Sequence, residues 1–198
     1  MRITAGFAIL VASIPTFVGV VHAQQIRPPA TFGIGRPATQ AEIAAWDIDV
    51  GPDGVGLPPG QGTAAEGAAT HATKCAACHG KTGKEGPNDV LVGGEPRDVF
   101  PSGRETQVPR TIGNYWPYPT TVFDYIRRAL PPAAPGSLSG DEVYGLVAFL
   151  LAANEIVAAD AVMDAKALPK VVMPARDKFV PDSRNNGRKP ATGSSGRR

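Results

Sequence analysis

Cysteine is nearly missing from this chain, with two in 198 residues. That excludes a disulfide-stapled scaffold, which needs several bridges, so the pair is to be read as a site. Aromatic residues make up 7% and charged residues 19%, and the formal net charge is only +2. A charge balance this even excludes a nucleic-acid binder that works through a dominant positive field. Beyond the N-terminus no apolar run is long enough to span a bilayer. The length and the 42% hydrophobic content admit one modest domain and leave little room for a two-domain enzyme. What the chain has in excess is 23 Gly and 20 Pro, over a fifth of its residues, against about 12% in average usage. A small packed core with long irregular arms is the expectation.

Residues 1–23 carry Arg2, an apolar stretch from Ala5 to Val21 and the small-residue end Val21-His22-Ala23. This is the plan of a secretory signal peptide cleaved after Ala23, and Pro15 argues against the competing reading of a retained anchor. The mature chain is then exported, to the periplasm, without stable insertion in the membrane. At the other end, residues 181–198 hold Arg184, Arg188, Lys189, Arg197 and Arg198 against Asp182 and have no apolar periodicity. They read as a disordered basic tail on a slightly acidic domain.

Between these ends the pattern is helical. Residues 24–62 form an extended arm rich in Pro and Gly, with one short helix announced by the capping-box spacing Thr39-Gln-Ala-Glu42. An Ala-rich helix is expected over about Thr63–Ala77. A second, over Thr121–Ala129, shows Val122, Tyr125, Ile126 and Ala129 on one face. A third, over Asp141–Ala153, starts from the capping box Ser139-Gly-Asp-Glu142 and carries Val143, Leu146, Val147, Leu150 and Leu151, the apolar face of a core helix. No stretch alternates as a strand does.

The two cysteines stand in Cys75-Ala-Ala-Cys78-His79. Two thiols three residues apart with a histidine directly after them form the attachment sequence of c-type haem. Thioethers from the cysteines join the two vinyl groups, and the histidine lies under the iron. A tetrahedral zinc site would need two further ligands, and the mature chain offers only His71 besides. A thioredoxin-like redox pair lacks its usual strand-helix context.

From Gly62 to Asn154 the chain resembles a class I cytochrome c, which implies an all-α fold around one covalent haem c with long irregular N- and C-terminal extensions here. The resemblance makes 63–153 the monohaem domain and 154–180 a wrapping segment. It implies that Gly67, eight residues before Cys75, lets the first and last helices cross, with Leu146 and Phe149 opposite. It implies that the Pro87 carbonyl of Gly86-Pro87-Asn88 accepts the Nδ1 hydrogen of His79 and that Tyr125 is an internal tyrosine on the haem. In Tyr115-Trp116-Pro-Tyr118 an indole or phenol is a candidate donor to a propionate, with plain core packing as the other reading. Arg110, Arg127 and Arg128 are candidates to neutralise propionates. His71, where the family has an aromatic ring, reads as a packed or surface histidine that does not reach the distal face.

The distal ligand is the open position. Where the family has Ala-Met-Pro, this chain has Ala129-Leu130-Pro131, and leucine does not coordinate iron. Met173, in Val172-Met173-Pro174, is the favoured sulfur, with Met163 or a five-coordinate iron under Leu130 as alternatives.

A closer resemblance covers almost all of the mature chain. Ala44-Ala-Trp46-Asp-Ile-Asp-Val50, Tyr115-Trp-Pro-Tyr-Pro-Thr-Thr-Val-Phe-Asp-Tyr-Ile126 and Met173-Pro-Ala-Arg-Asp-Lys-Phe179 are similar to cytochrome subunits of the sulfite/sulfur dehydrogenases of the bacterial Sox pathway. Ala175 and Lys178 depart from that pattern. The resemblance implies an electron-transfer subunit with no catalytic residues of its own. Its partners would be a molybdenum-containing dehydrogenase subunit and a soluble cytochrome c acceptor. A haem-based ligand sensor and a free-standing carrier are the other readings.

Overall fold

A computed structural model describes residues 34–93, 100–101 and 108–180. The expected signal segment 1–23 and basic tail 181–198 lie outside the described residues. The chain divides after Ala38, and the unit beginning at Thr39 holds every element below.

Three helices start where a hydroxyl and a carboxylate exchange hydrogen bonds with each other's backbone. In α1, Gln40–Trp46, the Glu42 carboxylate accepts from the Thr39 N–H at 2.8 Å while the Thr39 hydroxyl accepts from the Glu42 N–H. The same reciprocal cap opens α2, Ala64–Lys74, through Thr63 and Glu66, and α5, Gly140–Ala153, through Ser139 and Glu142. The helix expected over Thr63–Ala77 is interrupted. At Cys75 the backbone leaves helical geometry, and a single further turn, α3, runs over Ala76–His79. Helix α4, Pro119–Ala129, begins two residues earlier than the periodicity predicts, because proline at the first turn has no N–H to leave unbonded.

The core sits around α5, whose Val143, Leu146, Val147, Leu150 and Leu151 are all buried, as their spacing predicts, together with Tyr144. Against it lie Val122, Phe123 and Ile126 of α4. Helix α2 crosses α5 at Gly67. A Cβ there would overlap the Gly145 carbonyl and come within 2.8 Å of the Leu146 backbone nitrogen, so the absence of a side chain is what lets the two backbones meet. Sequence resemblance put Leu146 and Phe149 opposite Gly67; the nearest group is the backbone of Gly145.

The reading that no segment is a strand needs one correction. β1, Gln61–Thr63, pairs antiparallel with β2, Val162–Asp164, in the register Gln61↔Asp164, Gly62↔Met163, Thr63↔Val162. Three residues are too short to show an alternating pattern.

Much of the arm is bonded to the helices. The Val50 N–H donates to Asp124 Oδ1 at 2.8 Å, Thr120 Oγ1 donates to the Pro52 carbonyl at 3.0 Å, and the Tyr144 hydroxyl donates to the Pro58 carbonyl at 2.8 Å. Val50 is buried, whereas Ile43 and Trp46 of α1 are exposed. After α5 the chain returns along the domain through 3₁₀ turns at Leu168–Lys170 and Arg176–Lys178, burying Leu168, Met173 and Ala175. Among the described residues no helix is long and apolar enough to cross a membrane.

Candidate functional site

Beside α3 opens a cavity of about 510 Å³, a size within the roughly 300–1,000 Å³ of small-molecule and cofactor sites. Cys75 and His79 line it, and so do Leu91, Ile112, Val122, Ile126, Leu146 and Leu150 from the loop and helices around them. The wall is largely apolar. Cys78 is exposed on the same turn as Cys75 and His79, and the two cysteines are not joined to each other by a disulfide.

His79 is held through one ring nitrogen. Its Nδ1 lies 2.9 Å from the Asp89 carbonyl oxygen. A carbonyl only accepts, so Nδ1 carries the proton and Nε2 keeps its lone pair. Resemblance assigned that bond to the Pro87 carbonyl; the structure gives it to Asp89, two residues on, and Pro87 does not line the cavity. The reason is local. The Asn88 N–H donates to the Cys78 carbonyl at 3.0 Å, and Gly86 lies so close to the Cys78 and His79 backbone that a Cβ would overlap both. The turn is thereby pressed onto α3 and presents Asp89 to the ring.

Asn154, at the end of α5, fixes the rest of that loop. Its Oδ1 accepts from the Gly93 N–H at 3.0 Å, and its Nδ2 donates to the Leu91 and Leu150 carbonyls at 3.2 and 2.8 Å. Sequence reasoning treated Asn154 only as a helix end. Its fully buried amide is what ties the core helix to the loop that orients His79. On the next wall, the Thr111 hydroxyl donates to the Gly93 carbonyl at 2.7 Å, and Asn114 Oδ1 accepts from the Thr111 N–H at 2.8 Å.

The other expected residues divide. Trp116 and Tyr125 both line the cavity, their ring centroids 5.8 Å apart. The Trp116 indole N–H donates to Thr121 Oγ1 at 2.8 Å, so its bond is made within the protein. Tyr125, expected as an internal residue, is 51% exposed. Of the three arginines only Arg110 lines the cavity, over the Tyr115 ring at 4.8 Å. Arg127 donates to the Ile48 carbonyl at 3.1 Å and Arg128 pairs with Asp124, so both serve the arm and α4. Met173 is 1% exposed within the hydrophobic core and does not line the cavity, whereas Leu130 does.

His71 is packed, as expected, with its ring 4.9 Å from Phe149. It also lines the cavity, and among the described residues its Nε2 is the one buried side-chain polar atom without a hydrogen-bond partner. Burial, with the nearby His79, pushes its pKa down.

The chemistry of these donors tests which group they suit. Burial raises the Cys75 thiol above its ordinary value, with Lys74 working against this and Cys78 adding to it. A reactive redox pair requires the opposite, a stabilised thiolate. Among the described residues no three His, Cys, Asp or Glu side chains are grouped to hold a metal ion, which leaves a tetrahedral zinc without its further ligands. Two thiols and a histidine with a free Nε2, beside an apolar cavity with an orphaned polar atom in its wall, fit a covalently held porphyrin with iron on His79.

The family model of cytochrome c oxidase, cbb3-type, subunit III matches residues 62–150, the segment from β1 through most of α5. A chain in the crystal structure of the sulfane dehydrogenase SoxCD from Paracoccus pantotrophus is similar over 83% of this chain and 82% of its own, at 39% identity and a TM-score of 0.68. No curated protein matches the sequence.

Proposed function

This chain belongs to the class I c-type cytochromes, which are electron-transfer proteins, and we propose that it is the monohaem subunit of a periplasmic molybdenum-containing sulfite/sulfur dehydrogenase. The observation that carries the proposal is the Cys75-X-X-Cys78-His79 turn at an apolar cavity, with His79 Nδ1 fixed by the Asp89 carbonyl. In this reading Cys75 and Cys78 hold one haem c by thioethers and His79 Nε2 ligates its iron. A haem c bound there supplies a single centre that accepts and passes on one electron at a time. The protein's own part is to hold the imidazole tautomer, exclude water with the aliphatic wall, and place Arg110 where a propionate carboxylate would need a cation.

The dehydrogenase partner is supported by the similarity to SoxCD and by the absence, in the sequence, of any second site for oxidation chemistry. The arm is the segment we assign to holding that partner. Since Val50 to Gln61 are bonded to α4 and α5, the grip falls to the exposed Ile43 and Trp46 of α1. A soluble cytochrome c is the proposed acceptor.

The chain is to be expressed with a c-type maturation system and the molybdoenzyme subunit. Expected are haem retained on a denaturing gel, co-purification of the two subunits, and haem reduction on adding a sulfur substrate. Loss of co-purification in the double variant Ile43→Ala, Trp46→Ala, with the haem spectrum unchanged, is the further expected result. Haem that stays oxidised in a complete complex given sulfite or a protein-bound sulfane refutes the proposal.

A further inference from the structure

Among the described residues that line the cavity, Cys75 is the one that carries sulfur. Both methionines among the described residues are buried elsewhere. Met163 is in β2, opposite Gly62, at 4% exposure, and Met173 packs in the core at 1% while its carbonyl accepts from the Arg176 N–H at 3.1 Å. Neither lines the cavity. His71 is one helical turn before Cys75 on α2, on the attachment side. The Thr111 hydroxyl and the Trp116 indole have partners within the protein, Arg110 is a cation, and Asn88 and Asp89 belong to the turn that holds His79. Tyr115 is stacked on Phe100 at 5.4 Å beneath Arg110, and Tyr125 leans on Trp116.

The chain leaving α4 contributes Leu130, Pro131 and Pro132 to the wall, joined by Leu138 ahead of α5. None of these side chains has a lone pair to offer iron. An apolar wall also gives no hydrogen bond to a bound anion, so it favours small neutral ligands over charged ones.

Resting on the haem reading above, we propose that Leu130 leaves one axial position of the iron without a protein ligand, and that this position takes small neutral diatomic ligands of the carbon monoxide class. Met173 and Met163 are then core residues.

The test uses the holoprotein, with haem attachment first established on a denaturing gel. The oxidised wild type is expected to lack a sulfur-to-iron charge-transfer band, and the ferrous form to bind carbon monoxide one to one. Leu130→Met is expected to create the band and to weaken carbon monoxide binding about tenfold or more, the factor that follows when an internal ligand holds the iron nine-tenths of the time. The volume-conserving variants Met173→Leu and Met163→Leu are expected to leave spectrum and affinity unchanged. A sulfur band in the wild type that disappears in either variant overturns the proposal, as does a ferrous form that takes up no carbon monoxide. A missing haem stain overturns the haem reading itself, before any ligand is added, so the two failures are distinguishable.

Discussion

Replacing Gly67 by alanine sets two local effects against each other with opposite signs. Gly67 is in the middle of α2, where alanine is the better helix former by about 1 kcal/mol. By propensity alone Gly67→Ala stabilises. The crossing with α5 says the reverse, because the new methyl would overlap the Gly145 carbonyl and approach the Leu146 nitrogen at 2.8 Å. These are backbone atoms of a buried helix, so no rotamer change relieves the overlap, and the helices must separate. Overpacking of this kind costs about 1–3 kcal/mol, and with backbone on both sides the upper end applies. The net expectation is a loss of about 2 kcal/mol, or roughly 4–8 °C in Tm for a chain of this size. Thermal unfolding of the holoprotein, followed by helical circular dichroism, measures it. Ala69→Gly, at an exposed position of the same helix, is the control and is expected to lose only the propensity difference of about 1 kcal/mol. A Gly67→Ala protein as stable as wild type would refute the close crossing.

Other outcomes follow from single contacts. His71→Phe removes the orphaned buried Nε2 while keeping a ring against Phe149, and is expected to stabilise by about 1–2 kcal/mol in denaturant titration, since an unsatisfied buried polar atom costs that order. Because burial lowers the folded-state pKa of His71, the unfolded chain binds the extra proton first. Stability therefore falls as pH drops below the unfolded value of about 6.5, and His71→Phe should flatten that part of the profile. Tyr144 is the alkaline counterpart. Burial, aided by Asp164, pushes its pKa up to about 12, so its contribution is whole below the unfolded value of about 10 and fades as pH rises from there; Tyr144→Phe should show a shallower alkaline decline. Asp124→Ala strips the Val50 N–H and Arg128 of their acceptor, and is expected to cost about 2 kcal/mol and to speed limited proteolysis between residues 47 and 60. Unchanged cleavage would mean that the arm is held without Asp124.

The elements legible in the sequence were those encoded by neighbours. A hydroxyl and a carboxylate three residues apart announced α1 and α5, and Thr63-Ala-Ala-Glu66 has the same spacing, so the start of α2 was equally readable from that signal. The buried face of α5 followed from its spacing because that helix meets other chain along its whole length. What the sequence hid depended on partners far along the chain. Strand β1 exists only because residues a hundred positions later return beside it. The arm, expected only as extended chain with one short helix, is divided by contacts to Asp124, Thr120 and Tyr144, none of which has a signature in Pro- and Gly-rich sequence.

At the site the same division separates the two sides of the cavity. The His79 side is local, since thiols, imidazole and the turn that fixes Nδ1 all fall within fifteen residues, and the motif was readable apart from which carbonyl faces the ring. Choosing Asp89 over Pro87 takes the overlap at Gly86 and the Asn88 bond to Cys78, which are distances rather than residue types. The other side is assembled from α4, the Pro131-Pro132 segment and the residues ahead of α5. Sequence pattern favoured Met173 there because sulfur is the usual second ligand and only two methionines remain in the mature chain. The proposal for Leu130 rests instead on burial. Met173 is in the core at 1% exposure, with its neighbour Ala175 buried and its carbonyl bonded into the next 3₁₀ turn, and it is not among the residues of the cavity wall. Leu130 needs no rearrangement to be where it is, at the end of α4 and in the cavity wall.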